Sequence, residues 1–309
     1  MTTWGIVSMV RGSVDEILGF AAHHLELGAD RLYIFLDEPN RPAYRTLRRH
    51  PKISARVCDP AYWQERNLTR PEKHQVRQTR HASSTYRKTD LDWLAHIDVD
   101  EFLWAGKPVR DVLQSVPSDI PAVRVRPMEA VAFGTDLYKA HIPIGPERHG
   151  LVEEIYPNFG AFVLGGFLSH VRGKLIVRTG MKKLSFRIHN LYQNKELLPC
   201  KFEMPGLELC HRHAPDWDHW IAHYPFRMER GSYNPNNSPN LPRELGGLNK
   251  HELHRWIEAE RGTEGLRAFY DEMSAALPEV QERLKAHDMI RYRPLNLDEK
   301  IAKHFPRRD

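Results

Sequence analysis

Residues 3–37 read TWGIVSMVRGSVDEILGFAAHHLELGADRLYIFLD. The opening run, rich in β-branched and aromatic residues, predicts a buried strand. Ser13 then stands where a helix cap belongs, apolar residues recur at Ile17, Leu18, Ala21 and Leu25, and Gly28 supplies a stop. RLYIFLD at 31–37 is a second strand. Strand, helix, strand with apolar residues on both strand faces predicts a parallel sheet covered by helices on both sides. The alternation continues through a short helix at 42–50 (PAYRTLRRH), a strand at 52–59 (KISARVCD), a polar helix over 70–90 opened by Pro71, and a strand at 92–100 (DWLAHIDVD). Ligands of such sheets bind at the carboxyl ends of the strands. That rule gathers Arg11, Asp37 and the pair Asp98–Asp100 on one rim.

Beyond residue 105 the pattern loosens. VRDVLQSVP (109–117) reads as helix, PAVRVRPMEAVAFG (121–134) as strand, 136–170 as irregular, and KLSFRIHNL (183–191) as another strand. After Cys210 three helical stretches follow, at 214–231, 249–262 and 263–287, the first set apart by the Pro/Asn-rich segment SYNPNNSPNLP. The organisation expected is one α/β domain over 1–231, followed by a linker and helical extension over 232–309.

With 41% apolar and 28% charged residues in 309, the composition is that of a folded chain, neither disordered nor fibrous. Three cysteines, Cys58, Cys200 and Cys210, form no CxxC pair, which excludes a cysteine zinc knuckle and a disulfide scaffold and suits a reducing compartment. The apolar run at the N-terminus is too short to span a membrane, and no later segment reaches the roughly 18 apolar residues a span requires. A cytoplasmic location is expected. The net charge of +5 suits an anionic substrate or a membrane surface, and the basic stretch RYRPLNLDEKIAKHFPRRD (291–309) is either a solvated tail or a peripheral contact with the inner face of a membrane.

Several familiar chemistries are missing. No GxxxxGK[ST], GxGxxG or GxSxG occurs, so neither a P-loop nor a Rossmann glycine turn holds phosphate. HELH (251–254) lacks the spacing of a zinc-protease helix. His219 and His223 have that spacing but sit in an apolar stripe with Trp217, Trp220, Ile221 and Tyr224, where structural roles are the better reading. The basic helix 70–88 carries no stacking aromatic except Tyr86, so a nucleic-acid partner is not expected.

One segment raises a question that composition does not answer. In DLDWLAHIDVDEFLW (90–104), Asp98, Asp100 and Glu101 are set among some of the most apolar residues of the chain. Like charges so close repel, and burying them unpaired is costly. In an extended strand, residues i and i+2 share a side, so Asp98 and Asp100 would aim two carboxylates at one point past the strand end. Oxygen ligands of that kind suit magnesium or manganese.

These residues carry a resemblance. DWLAHIDVDEFL resembles the DxD segment of family 2-like glycosyltransferases, in the branch related to family 92, which use the GT-A fold. VRGSVDEILGFAAHHLELGADRLYIFLD resembles that family's first strand, its helix ending in HxxLG, and its second strand ending in Asp. VAFG, GKLIVR and ELCHRHAPDWDHWIAHYPFRMERGSY resemble later segments in order, so that the likeness spans about residues 3–231. Gly12 and Ser13 stand where the family usually shows Asn-Glu, DEPNRPA replaces an Asn-x-Ser-x-Asp run, and Arg212 rather than Tyr follows His211.

The resemblance implies a GT-A-like, mostly parallel sheet flanked by helices with a helical C-terminal region. It also implies metal-dependent transfer of a sugar, from a nucleotide diphosphate sugar donor to a glycan or polysaccharide acceptor. Asp100 would be the principal ligand of Mn2+ or Mg2+, Asp98 would touch metal or nucleotide sugar, and His211 would add a further ligand. Asp37 would face the nucleoside, with Arg11 on the same rim, and Lys174 and Arg178 would neighbour the diphosphate. Glu101 would orient its neighbours or bind sugar hydroxyls. For the catalytic base, Glu129 is one candidate beside Glu153, Glu154 and Asp216. Two rivals stand beside this reading: a metal-dependent phosphohydrolase, although Phe102 occupies the Thr or Val position of DxDx[TV], and a non-catalytic carbohydrate-binding protein of the same fold.

Overall fold

The computed structural model describes residues 1–134, 136–229, 231–236, 238–239 and 242–306. In chain order the first elements are β1 (Trp4–Val10), α1 (Val14–Glu26), β2 (Arg31–Leu36), α2 (Arg41–Leu47), β3 (Ile53–Val57), α3 (Pro60–Gln64), α4 (His74–Tyr86) and β4 (Trp93–His96). Then come β5 (Glu101–Ala105), α5 (Val109–Gln114), β6 (Ala122–Ala130), β7 (Leu137–Lys139), α6 (Arg148–Ile155), β8 (Lys174–Arg178), β9 (Leu184–Phe186), β10 (Leu191–Gln193), β11 (Glu196–Leu198) and β12 (Glu203–His211). The remainder is α7 (Trp217–Glu229), α8 (Lys250–Met273), α9 (Pro278–Ala286), β13 (Ile290–Tyr292) and α10 (Leu297–His304).

These elements form two compact units. The first takes Met1–Arg126, Arg172–Leu209 and the chain from Leu295 onward; the second takes Pro127–Val171 and Cys210–Pro294. Residue 231, the boundary expected from the sequence, lies inside the second unit.

In the first unit β3, β2, β1 and β4 lie side by side in that order, all parallel. β8 continues the sheet antiparallel to β4, pairing Leu175 with His96 and Arg178 with Trp93. This is the α/β class expected: a parallel core with helical crossovers. Val7, Leu94, Leu175 and Val177 pack with Ala82 and Tyr86 of α4, and the small sheet β9–β10–β11 adds Leu184, Phe186 and Leu191 to the same core. KLSFRIHNL is therefore a strand, a turn and the start of a second strand.

Local chemistry accounts for the main boundaries. Ser13 caps α1 by accepting from Glu16 N, while Glu16 Oε2 accepts from Ser13 N at 2.7 Å. α4 begins at His74, three residues after Pro71. β4 ends at His96, so Asp98 and Asp100 do not extend a strand. They occupy a tight turn in which Glu101 N donates to Asp98 O at 3.2 Å, and the alternation argument that set both carboxylates on one strand face does not apply.

The described part of the basic tail is not a free arm. α10 lies along α1, with Leu297 and Ile301 against Gly19. Lys303 and His304 pair with Glu26 at 2.8 and 2.7 Å. Arg307, Arg308 and Asp309 lie outside the described residues. Among the described residues no helix is long and apolar enough to cross a membrane.

The second unit packs around Trp220 and Tyr270, with Tyr156, Tyr233, Ile257, Phe269 and Met273. β7 joins β13 and the far end of β6, where Glu129 faces Lys139 across the ladder. α8 is interrupted at Gly262, whose φ of 56° departs from helix. The irregular reading of 136–170 overlooked β7 and α6.

Gly173 fixes the start of β8. Its φ is +70°, and a Cβ there would collide with the carbonyl oxygen of Val125 on β6. Both features exclude other residues. Gly173→Ala should lower unfolding free energy by about 2 kcal/mol or more, measured by urea denaturation.

Candidate functional site

Within the first unit the chain winds from β1 outward to β2 and β3, then returns to place β4 on the other side of β1. The crevice beyond the carboxyl ends of β1 and β4 is thus a topological switch point, where open α/β sheets bind ligands. The turn after β4 carries Asp98, Asp100 and Glu101 into that position.

The cation partner demanded by these carboxylates comes from within the chain. Lys174 Nζ lies 2.6 Å from Asp98 Oδ2 and 3.3 Å from Glu101 Oε2, and the lysine is buried. It arrives because β8 runs antiparallel, so the first residue of that strand, not its last, stands on the carboxyl rim. Gln78 Nε2 on α4 donates to Asp98 Oδ1 at 2.6 Å, and Asp98 N donates to Glu101 Oε2 at 2.9 Å. Burial alone would push the Asp98 carboxyl upward, but the Lys174 ammonium outweighs it and holds Asp98 down at about 2. Burial likewise disfavours a charged Lys174, and Asp98 and Glu101 more than offset this, so the amine is held above its ordinary value. His96 and His189 neighbour the pair and are kept neutral by burial, each at about 3.

Three carboxylates gather at this turn around one buried ammonium. Asp100 is half-buried and close enough to raise the Lys174 amine. Its donor atoms are oxygens at the rim of a sheet. Carboxylate oxygens in this position are the donor type that fits Mg2+ or Mn2+, and both oxygens of Asp98 already accept from side chains.

Asp37, after β2, is engaged by arginines. Arg77 Nε and Nη2 donate to its two oxygens at 2.8 and 2.6 Å, and Arg70 Nη2 lies at 3.1 Å. Burial raises this carboxyl and the paired guanidiniums lower it, with the lowering dominant. Arg77 also donates to the carbonyls of Pro71 and Glu72, tying down the segment before α4. The nucleoside-facing position expected for Asp37 is thus filled by a bidentate ion pair. A cleft of about 580 Å³ opens beside Arg70, lined also by Trp63, Gln64 and Asn67. Arg11, after β1, is exposed and pairs with Glu38 at 3.1 Å, a surface contact of little energetic weight.

Two assignments need correction. Arg178 is at the opposite end of β8 from Lys174, paired with Trp93 at the start of β4. Its guanidinium lies over the Trp93 ring, 4.3 Å from the centroid, and donates to the carbonyls of Val116, Pro117 and Ile120. It braces the amino rim and is remote from any diphosphate at the carboxyl rim. Glu129 is buried in the second unit, where it pairs with Lys139 at 3.0 Å and accepts from the backbone N–H groups of Leu168 and Ser169. With both oxygens committed and the group 2% exposed, it is a structural anchor and no base for an acceptor hydroxyl. His211 also belongs to the second unit, buried, its ring 5.5 Å from His170 and 5.1 Å from His213.

Sequence reasoning missed Gln78. The signal was present: α4 buries Arg77, Gln78 and His81, so the polar helix dismissed as a nucleic-acid candidate turns a polar stripe inward.

Lys174→Met would leave Asp98 and Glu101 without their cation. It should cost about 3–5 kcal/mol, measured by urea denaturation near neutral pH. A depressed carboxyl contributes stability above its unfolded value and loses it as pH falls through the folded one. For Asp98 that window runs from the ordinary 3.8 down to about 2. Acid titrations of the wild type should show a drop in stability across this window that Asp98→Asn flattens.

No family profile matches the sequence, and no curated protein matches it. Among solved structures, HddC from Yersinia pseudotuberculosis aligns at TM-score 0.28 and 9% identity, over 68% of this chain and 77% of that one. The galactosyltransferase LgtC, solved in complex with donor and acceptor sugar analogs, aligns at TM-score 0.27 and 13% identity, over 56% and 57%. Likenesses this weak add nothing to the fold read from the sheet itself.

Proposed function

We propose that the chain is a metal-dependent glycosyltransferase that moves a sugar from a nucleotide diphosphate sugar to a glycan or polysaccharide acceptor. What supports this reading is the acidic turn at the switch point, where Asp98, Asp100 and Glu101 gather around the buried Lys174. Bound Mg2+ or Mn2+ would supply the positive charge that stabilises the departing diphosphate. Asp100 would hold the ion. Asp98, fixed by Gln78 and Lys174, would orient the nucleotide sugar, and Glu101 would keep the turn closed by accepting from Asp98 N. Arg11 on the rim is free in its reach to meet a phosphate, its present partner being an exposed Glu38. The cleft beside Arg70 and Trp63 would receive the nucleoside, with Asp37 holding Arg70 in place.

A thermal-shift screen of nucleoside diphosphates with and without manganese tests the assignment. Stabilisation should require nucleotide and metal together, and a nucleotide at about 100 times its dissociation constant contributes about 2.7 kcal/mol. Asp100→Ala should abolish both the metal-dependent shift and transfer while the protein stays folded. Wild-type turnover in that variant would refute the site. Release of free phosphate without transfer would favour a phosphohydrolase, and glycan binding without nucleotide would favour a carbohydrate-binding protein.

A further inference from the structure

β5 pairs with β12, and among the described residues no strand meets Leu103 on its other side. Two side chains of α1 do so instead. His23 Nε2 donates to Leu103 O at 2.7 Å, and Leu103 N donates to His24 Nε2 at 3.2 Å. One residue thus has its carbonyl and its amide answered by adjacent residues of a helix.

The partners on the far ring nitrogens fix how this works. His24 Nδ1 meets the Phe20 carbonyl at 2.8 Å, which only accepts, so Nδ1 carries the hydrogen and Nε2 is bare. His23 Nδ1 meets Lys300 Nζ at 3.1 Å, an ammonium that only donates, so there Nδ1 is bare and Nε2 carries the hydrogen. The two rings are opposite tautomers, each the one Leu103 requires. Both are buried and neutral, His23 at about 4 through burial first and Lys300 second. Phe102 fills the space between, its ring parallel to His24 at 6.2 Å and edge-on to His23 at 5.4 Å.

We infer that His23, His24 and Lys300 form a clamp that positions the acidic turn, with Lys300 on α10 selecting the tautomer of His23. The link to the turn is short. Glu101 opens β5, accepts from Asp98 N and pairs with Lys174, so a shift of β5 moves the group that closes the turn. The three are positioning residues, which act on the turn through β5. The inference rests on the proposed function for its consequence, donor binding, and on the geometry alone for the clamp.

Amide hydrogen exchange of the full chain, read by mass spectrometry over peptides spanning residues 94–106, tests it. His24→Phe keeps an aromatic ring but removes the acceptor, His24→Gln keeps an acceptor, and Lys300→Met removes the donor that sets the tautomer. His24→Phe and Lys300→Met should speed exchange about tenfold at 98–104, whereas His24→Gln should stay within about twofold of wild type. Unchanged exchange at 98–101 in Lys300→Met overturns the proposal. So does faster exchange confined to 102–104, because the clamp would then hold β5 without the turn. Should His24→Phe fail to fold, the Lys300 variant decides by itself. A manganese titration of the wild type runs separately: lack of binding there counts against sugar transfer and leaves the exchange result to judge the clamp.

Discussion

A single buried ammonium governs the arrangement of the first unit. Lys174 lies against Asp98 and Glu101, and without it the turn after β4 could not be drawn into apolar surroundings. Ion pairs of this sort contribute little net stability, because desolvation consumes most of the attraction, but they are costly to break. They fix geometry. Here the pair dictates that β8 run antiparallel with its first residue on the carboxyl rim, and that Gly173 adopt a backbone conformation closed to other residues so that the lysine can enter.

Around this pair the unit builds with neutral imidazoles. His23, His24, His81, His96 and His189 all lie below their ordinary values, burial being the first cause each time. A neutral imidazole offers one donor and one acceptor, so it can satisfy a peptide from the side as a neighbouring strand would, without adding charge. Glutamine has the same valence, and Gln78 does similar work on Asp98. The interior is thus polar where it faces the turn, with the net charge concentrated in a few carboxylates and one lysine.

Much of the first unit was legible in the sequence because the signals were local. The cap at Ser13, the alternation through β1 to β4 and the density of acid in DVDE each depend on residues within one turn or strand. What escaped depended on chain direction or on distant partners. Arg178 and Lys174 both belong to GKLIVR, and only the antiparallel register tells which end reaches the site. Glu129 reads as an acid at a strand end until Lys139 and the peptides of Leu168 and Ser169 occupy it. The inward polar stripe of α4 was visible, but the helix was weighed only as a nucleic-acid contact and set aside because it carries no stacking aromatic except Tyr86. The division into units was hidden for the same reason, because it follows contacts between segments far apart in sequence.

That discontinuity has a bearing on biogenesis. α10 belongs with α1, yet the ribosome makes it after the whole second unit. During synthesis, therefore, the emerging α1 waits with its Gly19 face uncovered, and His23 without its ammonium, until residues 297–304 leave the exit tunnel. The sheet that is translated first is sealed last, an order that favours slow closure over long sequence separation and leaves apolar surface to be shielded in the interval.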